Sequence, residues 1–281
     1  MLNSLKINQL RMTQLIVCIG LLFAYCSCGS ANTNGNDDSS TGVAMKALST
    51  NGTSEIVDVN FDNDVPGQPP QTGGPGQPTD LFTAPGTTVL VKTSANGIAT
   101  QPVVLTAQAA SQAVYVATMF NPVSEGIVRI EATVAFHRLT DGYFLETGTG
   151  SGLFSSAIVT RLITTASGEI QNNAKLSNYT NRTTIGTYAP NQPFRVRMDI
   201  DMTSKTWSVA VDDEMNGFDD DPVIMNLPFE NPLAVLPTVG LVFAGLDLFP
   251  TSSVAPTSVA YDNIKVFLSA MTPVNINIKS R

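Results

Sequence analysis

Hydrophobic and polar residues alternate strictly along two stretches of this chain. In GIVRIEATVAF (126–136), Val128, Ile130, Ala132, Val134 and Phe136 share one face, and Arg129, Glu131 and Thr133 share the other. In FRVRMDIDM (194–202), Phe194, Val196, Met198, Ile200 and Met202 alternate with Arg195, Arg197, Asp199 and Asp201. A period of two predicts strands with one buried and one wet face. Shorter runs predict further strands at 55–61, 87–92, 102–106, 113–119, 142–147, 157–164, 183–188, 206–211, 223–229, 238–246 and 257–268. Beyond the N-terminal region no segment shows the 3.6-residue period of a helix. Strand after strand, punctuated by Gly, Pro and Asn turns, predicts an all-β antiparallel sandwich of two sheets. In the hairpin that follows 194, Met198 and Ile200 face the core from one strand and Trp207, Val209 and Val211 from the next, with TSK (203–205) turning between them.

The N-terminus has a different pattern. Lys6 and Arg11 precede the apolar run LIVCIGLLFA (15–24), which ends in YCSCGS. A basic start, a short apolar run and a small-residue exit describe a secretory signal, and the run is too short to span a bilayer comfortably. Residues 1–27 are therefore assigned to a signal peptide. Ser27-Cys28-Gly29 resembles the lipobox of bacterial lipoproteins, with Tyr25 where that box prefers leucine, and the resemblance implies acylation at Cys28. The expected address is the outer membrane or cell surface as a lipoprotein, and otherwise the periplasm or the medium. The lipid would be the only membrane contact.

Residues 28–53, rich in Ser, Thr, Asn and Gly, read as a flexible tether. The sandwich is expected over 54–270, with a tail at 271–281. Within it PGQPPQTGGPGQPTD (66–80) carries PGQP twice and reads as a long surface loop. All three cysteines, Cys18, Cys26 and Cys28, lie in the signal region. The domain must then be held by packing alone, which its size allows.

Composition narrows the partners. A formal net charge of -8 and no basic run longer than two residues exclude a nucleic-acid partner, which needs a basic surface to displace counterions. Hydrophobic residues make up 43% of the chain and charged ones only 14%, enough to bury a full core.

Three stretches in order carry a family resemblance: VDVNFDNDVPGQPP (57–70), YAPNQPFRVRMDIDMTSKTWSVAVDDE (188–214) and SVAYDNIKVF (258–267). Together they resemble the concanavalin A-like jelly-roll superfamily, which includes the laminin-G-like and glucanase-like domains of exported bacterial proteins. The resemblance implies a jelly roll in which Phe61 and Tyr261 bring the first and last strands together. It also implies two enzyme motifs to test. The E-x-D-x-x-E strand of family-16 glycoside hydrolases is not matched, since Glu131 is followed by Ala-Thr-Val and Glu146 by Thr-Gly-Thr. The Gln-x-His of alginate lyases is not matched either, because His137, the single histidine, follows Phe136. Asp199 and Asp201 are the one pair of acids on a strand face, read either as a solvated pair or as a joint site.

Candidate chemistry remains in two places. Aromatic rings stack on sugar faces and planar polar groups pair with hydroxyls, which makes His137, Tyr143, Arg161, Tyr179, Arg195 and Arg197 candidate ligand-binding residues. The loop DDEMNGFDDDP (212–222) places Asp212, Glu214 and Asn216 at positions one, three and five of an EF-hand-like loop, with Gly217 at six. Hard oxygens around a glycine turn suit calcium, so Asp212, Glu214, Asn216, Asp219 and Asp221 form a candidate Ca2+ site, although Val223 stands where the closing acid belongs. A solvated hairpin tip is the alternative. The functional expectation is an exported, non-catalytic module that binds a carbohydrate or other surface polymer. The alternatives are a polysaccharide hydrolase or lyase of the same fold, and a structural envelope protein.

Overall fold

A computed structural model describes residues 53–149, 158–172, 182–230, 241–251 and 256–269. All lie within the unit Ala47–Arg281. The signal region, Cys28 and Tyr179 lie outside the described residues. Every regular element among the described residues is a strand. In chain order these are β1 (Thr53–Val59), β2 (Asp80–Thr83), β3 (Thr87–Val91), β4 (Val103–Ala107) and β5 (Val114–Val123). There follow β6 (Ile127–Phe136), β7 (Gly142–Gly148), β8 (Ile158–Thr164), β9 (Glu169–Asn172) and β10 (Thr184–Thr187). The last five are β11 (Phe194–Asp201), β12 (Thr206–Asp212), β13 (Ile224–Pro228), β14 (Leu241–Pro250) and β15 (Thr257–Ser269).

They form an antiparallel two-sheet jelly-roll sandwich. The first sheet runs β13-β12-β11-β6-β15-β4-β3, with β1 paired to β15 as well; the second runs β10-β9-β8-β7-β14-β5-β2. Both strictly alternating stretches lie side by side in the first sheet, with Met198 opposite Ile130 and Ile200 opposite Val128. The four inward residues of β11 are at most 1% exposed. Each such side chain contributes about 2 kcal/mol on burial. A slip of one residue would drive Arg195, Arg197 and Asp199 into the core instead, so the pattern fixes the register.

The hairpin to β12 pairs Met198 with Val209 and Ile200 with Trp207. Lys205 takes a positive φ of 60° where the chain turns. Trp207 is buried, and its indole N–H donates to the Pro228 carbonyl at 3.0 Å. Aromatic rings lock the sheets together, since Phe136 and Phe194 of the first meet Phe144 of the second edge-on at 5.5 and 6.3 Å. Such pairs add about 1 kcal/mol to the burial of each ring.

The Tyr-Asp-Asn-Ile run on β15 has a physical explanation. Tyr261 is fully buried, and its hydroxyl reaches across to the second sheet, toward the backbone oxygens of Phe144 (2.5 Å) and Asp247 (2.6 Å). Asp262 accepts hydrogen bonds from the Thr100 hydroxyl and, at 2.9 Å, from the Asn263 N–H. Asn263 takes φ of 52°, where the pairing of β15 with β6 bulges. Ile264 then returns to the core, opposite Val59 of β1. The first and last strands thus pair as the resemblance implied. The PGQP loop is tied to β3 by reciprocal backbone bonds, Gly67 N–H to Val91 and Val91 N–H to Gln68, each 2.8 Å.

Candidate functional site

The site lies on the side of the second sheet that faces away from the core. Thr147 of β7 and Thr160 of β8 share a hydrogen bond of 2.8 Å, and Thr160 reaches Met198 Sδ across the core at 4.0 Å. Their neighbours Glu146 and Arg161 therefore point outward, opposite each other in register. On β14, Leu246 and Leu248 are core residues, so Asp247 between them also points outward.

These side chains form a buried ionic cluster. Arg161 Nε donates to Glu146 Oε1, and its Nη1 donates to Glu230 Oε1 at 3.1 Å. Arg161 is 2% exposed, and Glu146 and Asp247 are not exposed at all. Among the described residues no hydrogen-bond donor reaches either carboxyl oxygen of Asp247, and Glu146 lies on the neighbouring strand opposite Gly245, two residues away. Burial, followed by repulsion from Glu146, pushes the Asp247 carboxyl well above the aspartate range. Burial works against the charge on Arg161, but Glu146 and then Glu230 outweigh it and raise its pKa further.

A polar pocket of about 220 Å³ opens beside the cluster, lined by Asp141, Tyr143, Thr164, Arg182 and Thr251 among others. The Tyr143 ring forms one wall, with the Arg161 guanidinium 4.5 Å from its centroid and the Phe249 ring stacked on it at 5.6 Å. Gly142 permits this closeness, because a Cβ there would sit 2.7 Å from the Phe249 carbonyl oxygen.

The sequence-predicted ligand residues are not gathered in one place. Tyr143 and Arg161 meet here. Arg195 and Arg197 instead lie on the outer side of the first sheet, because they alternate with the inward Val196 and Met198. His137 is exposed just past the end of β6, with its N–H donating to Ser258 O at 3.0 Å. Asp199 and Asp201 do not act together. Asp199 is held by a two-pronged contact from Arg129 at 2.7 and 2.9 Å, and Asp201 accepts the Thr203 and Ser204 N–H groups at 2.8 and 3.0 Å in the turn.

The acidic loop is organised around Asp212. Asp212 is fully buried, and both its oxygens are engaged. Arg195 donates to Oδ2 at 2.9 and 2.5 Å, and the Gly217 N–H donates to the same oxygen at 3.0 Å. The Asn216 N–H takes Oδ1 at 3.1 Å. Burial alone would raise the Asp212 carboxyl, but Arg195 and these two N–H groups hold it below the ordinary range. Phe218 folds back under Arg195 and Arg197, with centroid distances of 5.1 and 4.4 Å. Asn216 donates its amide to Glu214 at 3.1 Å, and Asp219 is exposed. Of the five candidate residues, Asp212 is thus tied to Arg195 and to the Gly217 and Asn216 N–H groups, while burial and then the nearby acids Asp212, Asp220, Asp213 and Glu214 raise the pKa of Asp221. No group of three His, Cys, Asp or Glu among the described residues is placed to hold a metal ion.

Glu146, Asp247 and Glu230 were not legible as site residues. For Glu146 and Asp247 the available signal was a lone charge inside an apolar run, GYFLETG and LVFAGLDLF, matched by Arg161 in IVTRLIT, since a charge so placed needs a buried partner; Glu230, in LPFENP, had no such signal.

No protein-family model and no curated protein sequence matches the chain. Among solved structures, the winged bean acidic lectin complexed with methyl-alpha-D-galactose is 10% identical, at a TM-score of 0.46, with 77% of this chain and 98% of the lectin covered. Arcelin-5, a lectin-like defense protein from Phaseolus vulgaris, is 7% identical at a TM-score of 0.44, covering 76% of this chain and 97% of its own. A sialidase is 10% identical at 0.47 over 66% of this chain, which spans 16% of the sialidase's length.

Proposed function

We propose that this chain is an exported module of the concanavalin A-like type, anchored through an acylated Cys28, that binds a glycan on the outer side of its second sheet without cleaving it. The observation that carries this reading is Tyr143. Its ring is held between Arg161 and Phe249 at the wall of a polar pocket that also presents Asp141 and Arg182. Both faces of that ring are taken, so its edge lines the pocket, and Asp141, Thr164, Arg182 and Thr251 around it would meet the ligand by hydrogen bonds to sugar hydroxyls.

The second reading, a glycan-processing enzyme, draws on the raised carboxyl of Asp247 beside this pocket. Geometry counts against it. Glycoside cleavage needs its two carboxyl groups about 5 to 10 Å apart, with the scissile bond between them. Glu146 and Asp247 sit on adjacent strands with no exposed surface, so neither faces an open cleft.

Incubation of the purified chain with a polysaccharide panel, assayed for retention and for new reducing or unsaturated ends, tests both. Retention without product, lost in Tyr143→Ala, is expected. Product formation would replace the first reading with the second, and no retention on any glycan would remove both.

A further inference from the structure

We propose that residues 274–279 of this chain (VNINIK) form a strand that closes the free edge of β1. β1 pairs with β15 on one side, and among the described residues nothing pairs with its other side. Along that side runs a groove of about 410 Å³, bounded by Ile56–Val59 of β1, by the loop Gly73–Gln77, and by Thr118 and Met119 of the second sheet. The Asp58 carbonyl oxygen faces into it, 3.5 Å from where a Cβ on Gly76 would stand, and in an antiparallel strand the N–H of the same residue points the same way. Ile56 and Met119 are 38% and 39% exposed. An open strand edge beside apolar side chains is a template for one more strand, and natural proteins cover such edges. Three of the five loop residues are glycine, so the facing wall is mostly bare backbone that another backbone can approach.

The occupant follows from pattern, reach and charge. Val274, Ile276 and Ile278 alternate with Asn275, Asn277 and Lys279, which is the pattern of a strand with one apolar face. β15 ends at Ser269, paired with Thr53 at the start of β1, so the chain leaves β15 on the far side of β1 from the groove. Crossing β1 takes two inter-strand steps, about 10 Å. Residues 270–273 can span about 13 Å, which is enough. The segment then runs beside β1 in the same direction, and its apolar positions continue the face of Val57 and Val59, which pack on the core. On the opposite face Glu55 and Asp58 share a single cation, Lys265 Nζ, at 3.7 and 3.3 Å. Lys279, on the polar face of the segment, supplies a second. Another copy of β1 is a poorer occupant, because antiparallel pairing about a two-fold axis would bring these acids beside their own counterparts.

Amide hydrogen exchange of the purified chain tests this. The Asp58 N–H faces the groove, whereas those of Val57 and Val59 face β15 and serve as an internal reference. Asp58 should exchange slowly in the parent and at least about tenfold faster in Ile276→Asp, which sets a charge against the apolar wall. Ile276→Val should keep the parent's rate. Val57 and Val59 should stay slow in all three proteins, which separates loss of the added strand from loss of β1 itself. Equal Asp58 rates in the parent and Ile276→Asp overturn the proposal. Protection of Asp58 that grows with protein concentration overturns it as well, since the covering strand would then come from a second copy.

Discussion

Replacing Asp247 by asparagine isolates one buried proton. Below about pH 4 the Asp247 carboxyl is protonated in both the folded and the unfolded chain, and it makes stability no function of pH. Above that, the unfolded chain releases the proton while the folded chain keeps it, because burial and Glu146 hold the folded pKa well up. The folded state then binds more protons, so each pH unit removes about 1.4 kcal/mol of stability until the folded pKa is passed. In a domain of this size that is about 3–6 °C in Tm per unit. The asparagine side chain keeps the shape and offers an amide N–H to Glu146 with nothing to titrate. The carboxylates with lowered pKa, Asp201 and Asp212, pull the other way, but they are present in both proteins and cancel in the difference. Thermal melts from pH 4 upward should therefore show the parent losing ground to Asp247→Asn at that slope. Parallel curves would mean that Asp247 carries no proton, and the account of the cluster would fail.

Other substitutions probe the remaining contacts. Asp212→Ala should cost about 2–3 kcal/mol in urea unfolding, since two backbone N–H groups and a partly solvent-screened Arg195 lose their acceptor. A chelator should leave the parent's Tm unchanged, and a rise in Tm with added calcium would contradict the geometry of the loop. Tyr261→Phe should cost about 1–2 kcal/mol by removing the hydroxyl that joins the sheets, with strand content by circular dichroism unaltered. Labelled palmitate should be incorporated by the parent and not by Cys28→Ala, and equal labelling would refute the choice of cysteine.

The sandwich was legible because alternation is local. The β6 and β11 stretches each show their buried face within ten residues, and the pairing of Met198 with Val209 follows from one tight turn. The four-residue strands Asp80–Thr83 and Glu169–Asn172 were not, since DLFT and EIQN are too short to show a period. The buried cluster is hidden for another reason. Glu146 has no acidic partner on its own strand; Asp247 sits on β14, about a hundred residues later in the chain, and only the β7–β14 pairing brings the two together. Arg161 does stand out in the sequence, as does Tyr143, whereas what Arg195 faces depends on the loop closing over it.

The thirteen residues of β15 carry a kinetic consequence. This last described strand pairs with β1, β4 and β6 at once, so the middle of the first sheet has no template until it arrives. Pairing across some two hundred residues of sequence must wait for loop closure, which makes folding slow and late. A ribosome-bound chain that ends before Thr257 would leave the two pieces of the first sheet, β13-β12-β11-β6 and β4-β3, unjoined. A chain kept unfolded that long is exposed to aggregation while it waits, so expression should respond more to chaperone supply than to small gains in folded stability.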